Sequence, residues 1–317
     1  MTIGAGAVSA WVWNSYISAG PLAQSTIVHI KRGSGMNSIA HTLYKHNVIS
    51  DPLVMRIMAR LSKQHLSLKA GEYEFPAGIS MQDALNKIVG GDVYLRSFTV
   101  AEGLTSWQVV QVLNDIQALE GEIETIPDEG SLLPETYSYE MGATKQEQIL
   151  HMQQSMAKTI DSLWDGRDQN LPLQTKEEAI ILASIVEKET GIHGERKKIA
   201  GVFINRLRKN MALQTDPTVI YALTGGKIQN NGQGPLGRRI LLKDLAVDSP
   251  YNTYKYTGLP PGPIANPGKA SIEAVLHPES HNYLYFVADG TGGHTFATNL
   301  SEHNQNVANW RKIRKSK

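Results

Sequence analysis

The chain has 317 residues, of which 41% are hydrophobic and 19% are charged. This composition is typical of a folded protein with one large domain or two smaller ones, and it excludes disordered and collagen-like chains. Lys and Arg number 31 and Asp and Glu 30, so the net charge of +1 gives no overall field that would hold nucleic acid. The absence of cysteine excludes disulfides, Cys-zinc sites and thiol nucleophiles.

The first 28 residues contain no Asp, Glu, Lys or Arg. Their apolar character, with Trp11, Trp13 and Tyr16 as interface aromatics, predicts a membrane anchor over residues 1–25. Several Gly residues and an Asn-Ser pair dilute this segment, and no basic residue precedes it. A disordered terminus is the alternative interpretation.

A small α+β unit is predicted over residues 26–100. Apolar alternation and turn signals predict strands at 26–30, within 68–75 and at 93–101. Helical spacing and capping residues predict helices at 36–46, 50–61 and 80–90, the last with Ser80 as its N-cap.

Residues 101–317 are predicted to form a larger mixed α/β domain. Apolar periodicity predicts helices at 106–119, 144–164, 176–190 and 195–210. After residue 225 the richness in Gly, Pro and Asn predicts loops and short strands, the clearest at 283–288. The stretch at 232–237 matches GxGxxG, but no strand precedes it and Pro235 interrupts it, so a turn is predicted instead of a nucleotide-binding loop.

The helix at 176–190 contains a carboxylate among apolar residues. At ~100° per residue, Glu189 follows Ile185 and Val186 along an apolar stripe, whereas Glu187 falls on the opposite side and is expected to matter little. A carboxyl in such a stripe loses solvation, so its pKa rises and it can act as a general acid. The alternative, which periodicity alone favours, is a helix-end Glu that extends into solvent or pairs with an arginine.

Gln214, Thr215 and Asp216 form a polar cluster just before Pro217. They predict either a polar wall that binds a hydroxylated substrate or the cap of a helix that Pro217 opens. Capping is the preferred interpretation for Asp216, while Gln214 is freer to bind substrate.

Asn252 and Tyr254 lie close to the stiff Pro-Gly segment at 258–262. An amide beside an aromatic face suits sugar binding, although the tyrosine could equally be an ordinary core residue. His294 follows two glycines and is a candidate substrate contact, with a satisfied loop histidine as the alternative. The sequence contains neither an HExxH motif nor a tight His/Asp cluster, so no metal site is predicted.

Several blocks of sequence occur in a characteristic order. They are EGSLLPETY at 129–137, ASIVEKETG at 183–191, VFINRL at 202–207, LQTDPTVIY at 213–221, YNTY at 251–254, GLPPG at 258–262, YLYFVA at 283–288 and GHTF at 293–296. Together they closely resemble the endolytic murein transglycosylase (YceG-like) family over about residues 26–310. The segments GSGMNSIA at 33–40 and LKAGEYEF at 68–75 further resemble the LysM-like region of that family.

The resemblance implies cleavage of the β-1,4 bond between N-acetylmuramic acid and N-acetylglucosamine within peptidoglycan strands, giving 1,6-anhydro ends. It implies Glu189 as the catalytic residue, no cofactor and no metal. The residues expected to line the glycan cleft are Gln214, Asp216, Asn252, Tyr254 and His294. The resemblance also implies a single N-terminal helix in the bacterial inner membrane, the catalytic bulk in the periplasm, and contact with peptidoglycan synthases. The uncharged start departs from that pattern and suggests that the native chain begins upstream.

Two other functions stay open at this point. A peptidoglycan hydrolase would use Glu189 with Asp216 as the base that activates water. A scaffold built on the LysM-like unit would bind peptidoglycan without turnover. The product distinguishes them, because an anhydro end is one water lighter than a hydrolysed end and a scaffold releases neither.

Overall fold

The computed structural model describes residues 2–228 and 235–316 of the chain. The first half of the GxGxxG stretch at 232–237 therefore lies outside the described residues. The chain divides into two compact units, the first formed by Met1–Phe98 with Ser138–Ala143 and the second by Thr99–Tyr137 with Thr144–Lys317. Helices and small antiparallel sheets are mixed along the chain, which confirms the α+β class.

The first unit packs helices against a two-stranded sheet. Its elements are α1 (Thr2–Ile17), β1 (Thr26–Ile30), α2 (Met36–Lys45), α3 (Pro52–Leu61), β2 (Gly71–Phe75) and α4 (Met81–Gly90). Strands β1 and β2 pair antiparallel, with Thr26 opposite Phe75 and Ile30 opposite Gly71. The aromatic rings of Tyr73 and Phe75 are fully buried and form the centre of this core.

Local sequence explains where the helices of this unit begin. The Asp51 carboxylate accepts hydrogen bonds from the backbone N–H groups of Leu53 (2.7 Å) and Val54 (3.2 Å), which satisfies donors that a helix start leaves free. The predicted N-cap Ser80 accepts from the Asp83 N–H at 3.1 Å, and this confirms the start of α4. Within residues 2–228 and 235–316, no helix combines the length and the apolar character needed to cross a membrane.

The second unit is mainly helical. Its elements are α5 (Ser106–Asn114), α6 (Lys145–Trp164), α7 (Lys176–Glu189), α8 (Arg196–Arg208), α9 (Asp216–Thr224), α10 (Lys269–Leu276), β5 (Tyr285–Ala288), β6 (His294–Ala297) and α11 (Leu300–Ser316). Two further strands, β3 (Arg96–Thr99) and β4 (Thr136–Tyr139), pair with each other, and the division between the units falls within them.

Helix α7 lies at the centre of the core of the second unit. Every residue from Ala179 to Val186 is buried, so the prediction of a single apolar stripe is wrong for this part of the helix. The one polar side chain in this stretch, Ser184, donates to the Ile181 carbonyl at 2.7 Å and accepts from the Ile264 N–H at 3.0 Å. Its burial therefore leaves no unpaired hydroxyl.

The region after residue 225 contains two helices that the sequence analysis assigned to loops and short strands. Helix α10 packs its apolar residues Ile272 and Val275 into the core beside α7. Helix α11 packs against the β5–β6 hairpin, in which Tyr285 pairs with Ala297 and Ala288 with His294. The loop assignment is therefore wrong at these two places.

Candidate active site

A cleft of about 420 Å³ opens in the second unit, at the end of α7. Its walls come from the C-terminal end of α7, the start of α9, the strand β5 and helix α11. The residues that line it are Glu189, Arg206, Leu213, Gln214, Asp216, Tyr254, Tyr285, Phe286, Val287, Leu300 and His303. Three of the residues predicted to bind glycan, Gln214, Asp216 and Tyr254, therefore lie in the same cleft as Glu189.

Glu189 is the last residue of α7, and its carboxyl is the candidate general acid of the cleft. Burial raises the pKa of its carboxyl from 4.5 to about 7. The negative charge of Asp216 acts in the same direction, while the Thr215 hydroxyl, the positive charge of Arg206 and that of His294 when its ring is protonated oppose it. At neutral pH the carboxyl is therefore divided between its protonated and ionised forms, as a group that both gives and takes a proton requires.

Arg206 shapes the floor of the cleft. Its guanidinium donates from Nε to the Leu284 carbonyl at 2.6 Å and from Nη1 to the Ala212 and Leu213 carbonyls at 3.0 and 2.9 Å. Burial lowers the pKa of this arginine from its ordinary value, but the group stays charged at neutral pH. One side chain of α8 thus fixes both the segment before α9 and the start of β5.

Gln214 lies on that segment in a strained conformation. Its φ of 52° is in the left-handed region, which few residues other than glycine adopt. The Gln214 N–H donates to the Thr253 carbonyl at 3.0 Å, and its Oε1 is 3.5 Å from Arg206 Nη1. Such strain is held by surrounding contacts and is common at functional sites. Here it turns the side chain of Gln214 toward the cleft.

Asp216 does not cap helix α9, so the preferred sequence interpretation is wrong. The helix begins at Asp216 itself, and the residue at the N-cap, Thr215, makes no side-chain capping bond. The Asp216 carboxylate instead accepts a hydrogen bond from the Tyr254 hydroxyl at 2.7 Å. Burial, together with this bond, raises the pKa of Tyr254, so its hydroxyl keeps its proton.

Asn252, in contrast to the expectation from sequence, is fully buried and does not line the cleft. Its Nδ2 donates to the carbonyls of Leu245 and Val247 at 2.9 and 2.8 Å, and its Oδ1 accepts from the Tyr254 N–H at 3.0 Å. All of these partners are backbone groups of one loop. Asn252 therefore supports the position of Tyr254 and has no polar atom left for a sugar.

His294 begins strand β6 and lies beside the cleft, not among its lining residues. Its Nδ1 is 2.7 Å from Glu195 Oε2, and its backbone N–H donates to Glu195 Oε1 at 3.0 Å. The ring meets the cleft residue Phe286 edge to face, with centroids 5.3 Å apart. Glu195 thus fixes the His294 ring, whose charge, when the ring is protonated, lowers the pKa of Glu189.

Glu187 is not a solvated control for Glu189. Its Oε1 is 3.1 Å from Arg196 Nη2, and both side chains are only 5% exposed. The Glu187 Oε2 accepts from the Gly268 N–H at 3.0 Å, and Arg196 also pairs with Glu102 at 2.9 Å. Periodicity did not show the buried arginine on the neighbouring helix, so this pairing of Glu187 was not anticipated from the sequence.

The stacked rings of Tyr285 and His303 in the cleft were not identified as site residues from the sequence. Tyr285 and His303 stack with centroids 5.1 Å apart at 26°, and the Arg206 guanidinium is 5.1 Å from the Tyr285 ring. Tyr285 lies in the YLYFVA block that the sequence analysis noted. His303 could have been identified only by predicting helix α11, which was assigned to a Gly-rich loop region instead. Among residues 2–228 and 235–316, no three His, Asp or Glu side chains converge to hold a metal ion.

Comparison with known proteins identifies the family. The model of the YceG-like family matches residues 28–309. A protein of Bacillus subtilis named endolytic murein transglycosylase is 34% identical over 311 residues, covering 88% of this chain and 82% of the relative. Proteins of that name from two Streptococcus pneumoniae strains are 32% identical, but this chain spans only 57% of their length.

A solved structure agrees with this assignment. The crystal structure of a yceG-like protein from Listeria monocytogenes is 32% identical, with a TM-score of 0.52, and the match covers 89% of this chain and 99% of that one. The family match extends over both units and contains every described residue that lines the cleft. The chain therefore belongs to the YceG-like family.

Proposed function

We propose that this chain is an endolytic lytic transglycosylase that cleaves the β-1,4 bond between N-acetylmuramic acid and N-acetylglucosamine inside peptidoglycan strands. The observation that carries the proposal is Glu189, whose carboxyl lies in an open cleft with a pKa raised to about 7. The relatives named endolytic murein transglycosylase support the choice of substrate.

The proposed mechanism uses this one carboxyl twice. Protonated Glu189 gives its proton to the glycosidic oxygen, and the bond between that oxygen and C1 of N-acetylmuramic acid breaks. The Glu189 carboxylate then removes the proton from the C6 hydroxyl of the same sugar, and the C6 oxygen bonds to C1. The carboxyl is protonated again, no water is consumed, and the product carries a 1,6-anhydro ring.

The neighbouring groups fit the charge that develops in this reaction. An oxocarbenium-like transition state places positive charge near C1, and a fixed carboxylate stabilises such charge. Asp216 supplies that carboxylate, held by the Tyr254 hydroxyl at 2.7 Å. Gln214 presents an amide to the same cleft and can bind sugar hydroxyls.

Hydrolysis is the second candidate, because Asp216 shares the cleft with Glu189 and is close enough to raise its pKa. In that case Asp216 would activate a water that attacks C1. The bond from Tyr254 favours transglycosylation, since it engages one Asp216 oxygen that a water-activating base would need for the water proton.

Mass spectrometry of the products tests the proposal. Purified peptidoglycan sacculi are digested with the wild-type chain, and released muropeptides are compared with those from Glu189→Gln and Glu177→Gln variants. Glu177 is exposed in the first turn of the same helix, so it is the matched control. We expect 1,6-anhydro products from the wild type and the control only. Hydrolysed ends would favour the second candidate. If the folded wild type releases no muropeptides at all, the result would favour a non-catalytic binding scaffold.

Such a substrate places the protein at the cell wall. The single-pass anchor at residues 1–25, the periplasmic location and the contact with membrane synthases stay predictions. Extraction of membranes with alkaline carbonate tests the anchor: an anchored chain stays with the membranes, whereas release into the supernatant would contradict the prediction. The LysM-like assignment of residues 26–100 is tested by binding of that unit to purified sacculi.

A further inference from the structure

One wall of the cleft combines a polar ring with apolar side chains. We call this group, formed by Tyr285, Val287, Leu300 and His303, the His303 wall. All of its members line the cleft that contains Glu189. The mechanism above uses none of them, and the sequence analysis assigned a function to none of them.

The state of the His303 ring follows from its surroundings. Burial and the positive charge of Arg206 lower its pKa, so the ring is neutral at neutral pH. Its Nδ1 is buried, and among the described residues it has no hydrogen-bond partner. A buried donor without an acceptor costs free energy, so the single ring proton belongs on Nε2. The stack against Tyr285 holds the ring, and His303 lines the cleft, so Nε2–H is the donor that the ring can offer there.

The rest of the wall is apolar and partly open. Leu300 is 57% exposed at the margin of the cleft, and Val287 is half-buried beside it. A donor next to a small apolar surface matches a group that has a carbonyl oxygen and a methyl. A bare sugar hydroxyl would use the donor but would leave the apolar surface uncovered.

From this arrangement we propose that the His303 wall is a specificity site for the 2-acetamido group of a sugar bound beside Glu189. The carbonyl oxygen of that group accepts from His303 Nε2–H, and its methyl packs against Leu300 and Val287. The proposal rests on the proposed function, since it assumes a glycan in the cleft. It predicts that the enzyme distinguishes N-acetylated strands from strands that lack the acetyl groups.

The test compares soluble glycan strands in three forms: native, chemically de-N-acetylated, and de-N-acetylated then re-acetylated with acetic anhydride. We expect the wild-type kcat/KM for release of anhydro ends to fall about tenfold or more on removal of the acetyl groups. Re-acetylation should restore it, which separates the loss of the acetyl group from chemical damage to the strands. Equal turnover of native and de-N-acetylated strands would overturn the proposal.

Variants of His303 test whether this residue is responsible for the preference for N-acetylated strands. His303→Phe keeps the stack on Tyr285 but has no donor, and His303→Gln keeps an N–H donor without the ring. We expect the Phe variant to lose about three- to tenfold in kcat/KM on native strands and little further on de-N-acetylated strands, with the Gln variant in between. Asn304→Ala, exposed on the same helix, is the matched control. Equal losses by the Phe variant on both substrates would overturn the assignment to the acetamido group.

Melting temperatures of all variants show whether a loss of activity reflects unfolding.

The variant Leu300→Ser tests the apolar part of the His303 wall. It removes apolar surface at an exposed position, where the fold tolerates change. We expect this variant also to lose preference for native strands. An unchanged preference would contradict the role of the His303 wall in recognising the acetyl methyl. Absence of anhydro products from the wild type would refute the proposed function itself, whereas anhydro release without acetyl preference would refute only this inference.

Discussion

Replacing Glu189 with Gln is expected to abolish glycan cleavage and to change how stability depends on pH. The carboxyl has a pKa of about 7 in the folded chain against 4.5 when it is unperturbed. A shift of this size corresponds to roughly 3 kcal/mol between the two protonation states. Because the folded state holds this proton more tightly, the stabilisation is fully present below pH 4.5 and is lost as the pH rises toward 7.

Glutamine has no proton to lose, so its contribution does not change over this range. The free energy of unfolding of Glu189→Gln, relative to the wild type, should therefore increase by up to about 3 kcal/mol between pH 4.5 and pH 8. Activity should fall by at least about 10⁴-fold, because one group serves both proton transfers. The wild-type kcat/KM should decline above pH 7, where the acid is ionised.

Denaturant titrations of the two chains at pH 4.5, 6 and 8 measure the first effect, and anhydro-muropeptide release measures the second. Glu177→Gln should show neither, since that carboxylate is exposed on the same helix. A stability difference that stays constant across the three pH values would refute the argument that burial raises the pKa of Glu189. Near-normal release by the variant would refute its role as the acid.

Three further substitutions test the surroundings of Glu189. Glu187→Gln should lower the free energy of unfolding by about 2–3 kcal/mol in denaturant titrations, because it breaks a buried pair with Arg196; unchanged stability would contradict this pairing. Gln214→Gly should stabilise the chain by about 0.5–1 kcal/mol by relieving a left-handed φ, yet lower kcat/KM a few-fold. Tyr254→Phe should lower kcat about ten- to hundredfold and move the alkaline limb of the pH profile upward, since the Asp216 charge is then less neutralised; an unshifted limb would speak against that coupling.

The helices that the sequence predicted are those whose signals are local. Asp51 before Pro52 and Ser80 before Asp83 satisfy the first free N–H groups of α3 and α4, and the structure has both caps. Helix α10 lacks such a signal, since its N-cap is Gly268 without a capping side chain, and its helical state depends on packing against distant elements. Helix α11 does have one, because the Asn299 side chain accepts from the Glu302 N–H at 3.0 Å, but the sequence analysis passed over it in a Gly-rich region.

In the candidate site, too, the sequence predicted only what depends on neighbouring residues in the chain. Glu189 was identifiable because it follows Ile185 and Val186 on its own helix and lies in the block ASIVEKETG that resembles the YceG-like family. The buried pairing of Glu187 and the bond from Tyr254 to Asp216 join residues that lie 9 and 38 positions apart. The first partner lies on another helix and the second on a remote loop, so neither contact follows from local sequence patterns.

A carboxyl that must act as acid and then as base needs a pKa close to the working pH, and burial alone would not hold it there. Burial and the charge of Asp216 both favour the protonated form of Glu189. Arg206 and His294 favour the ionised form, and each is fixed in place by other bonds: Arg206 by three backbone carbonyls, and His294 by both oxygens of Glu195. In the proposed mechanism, Arg206, and His294 when its ring is protonated, keep the proton of Glu189 removable, so the segments that hold these two side chains contribute to the reaction together with the helix that carries Glu189.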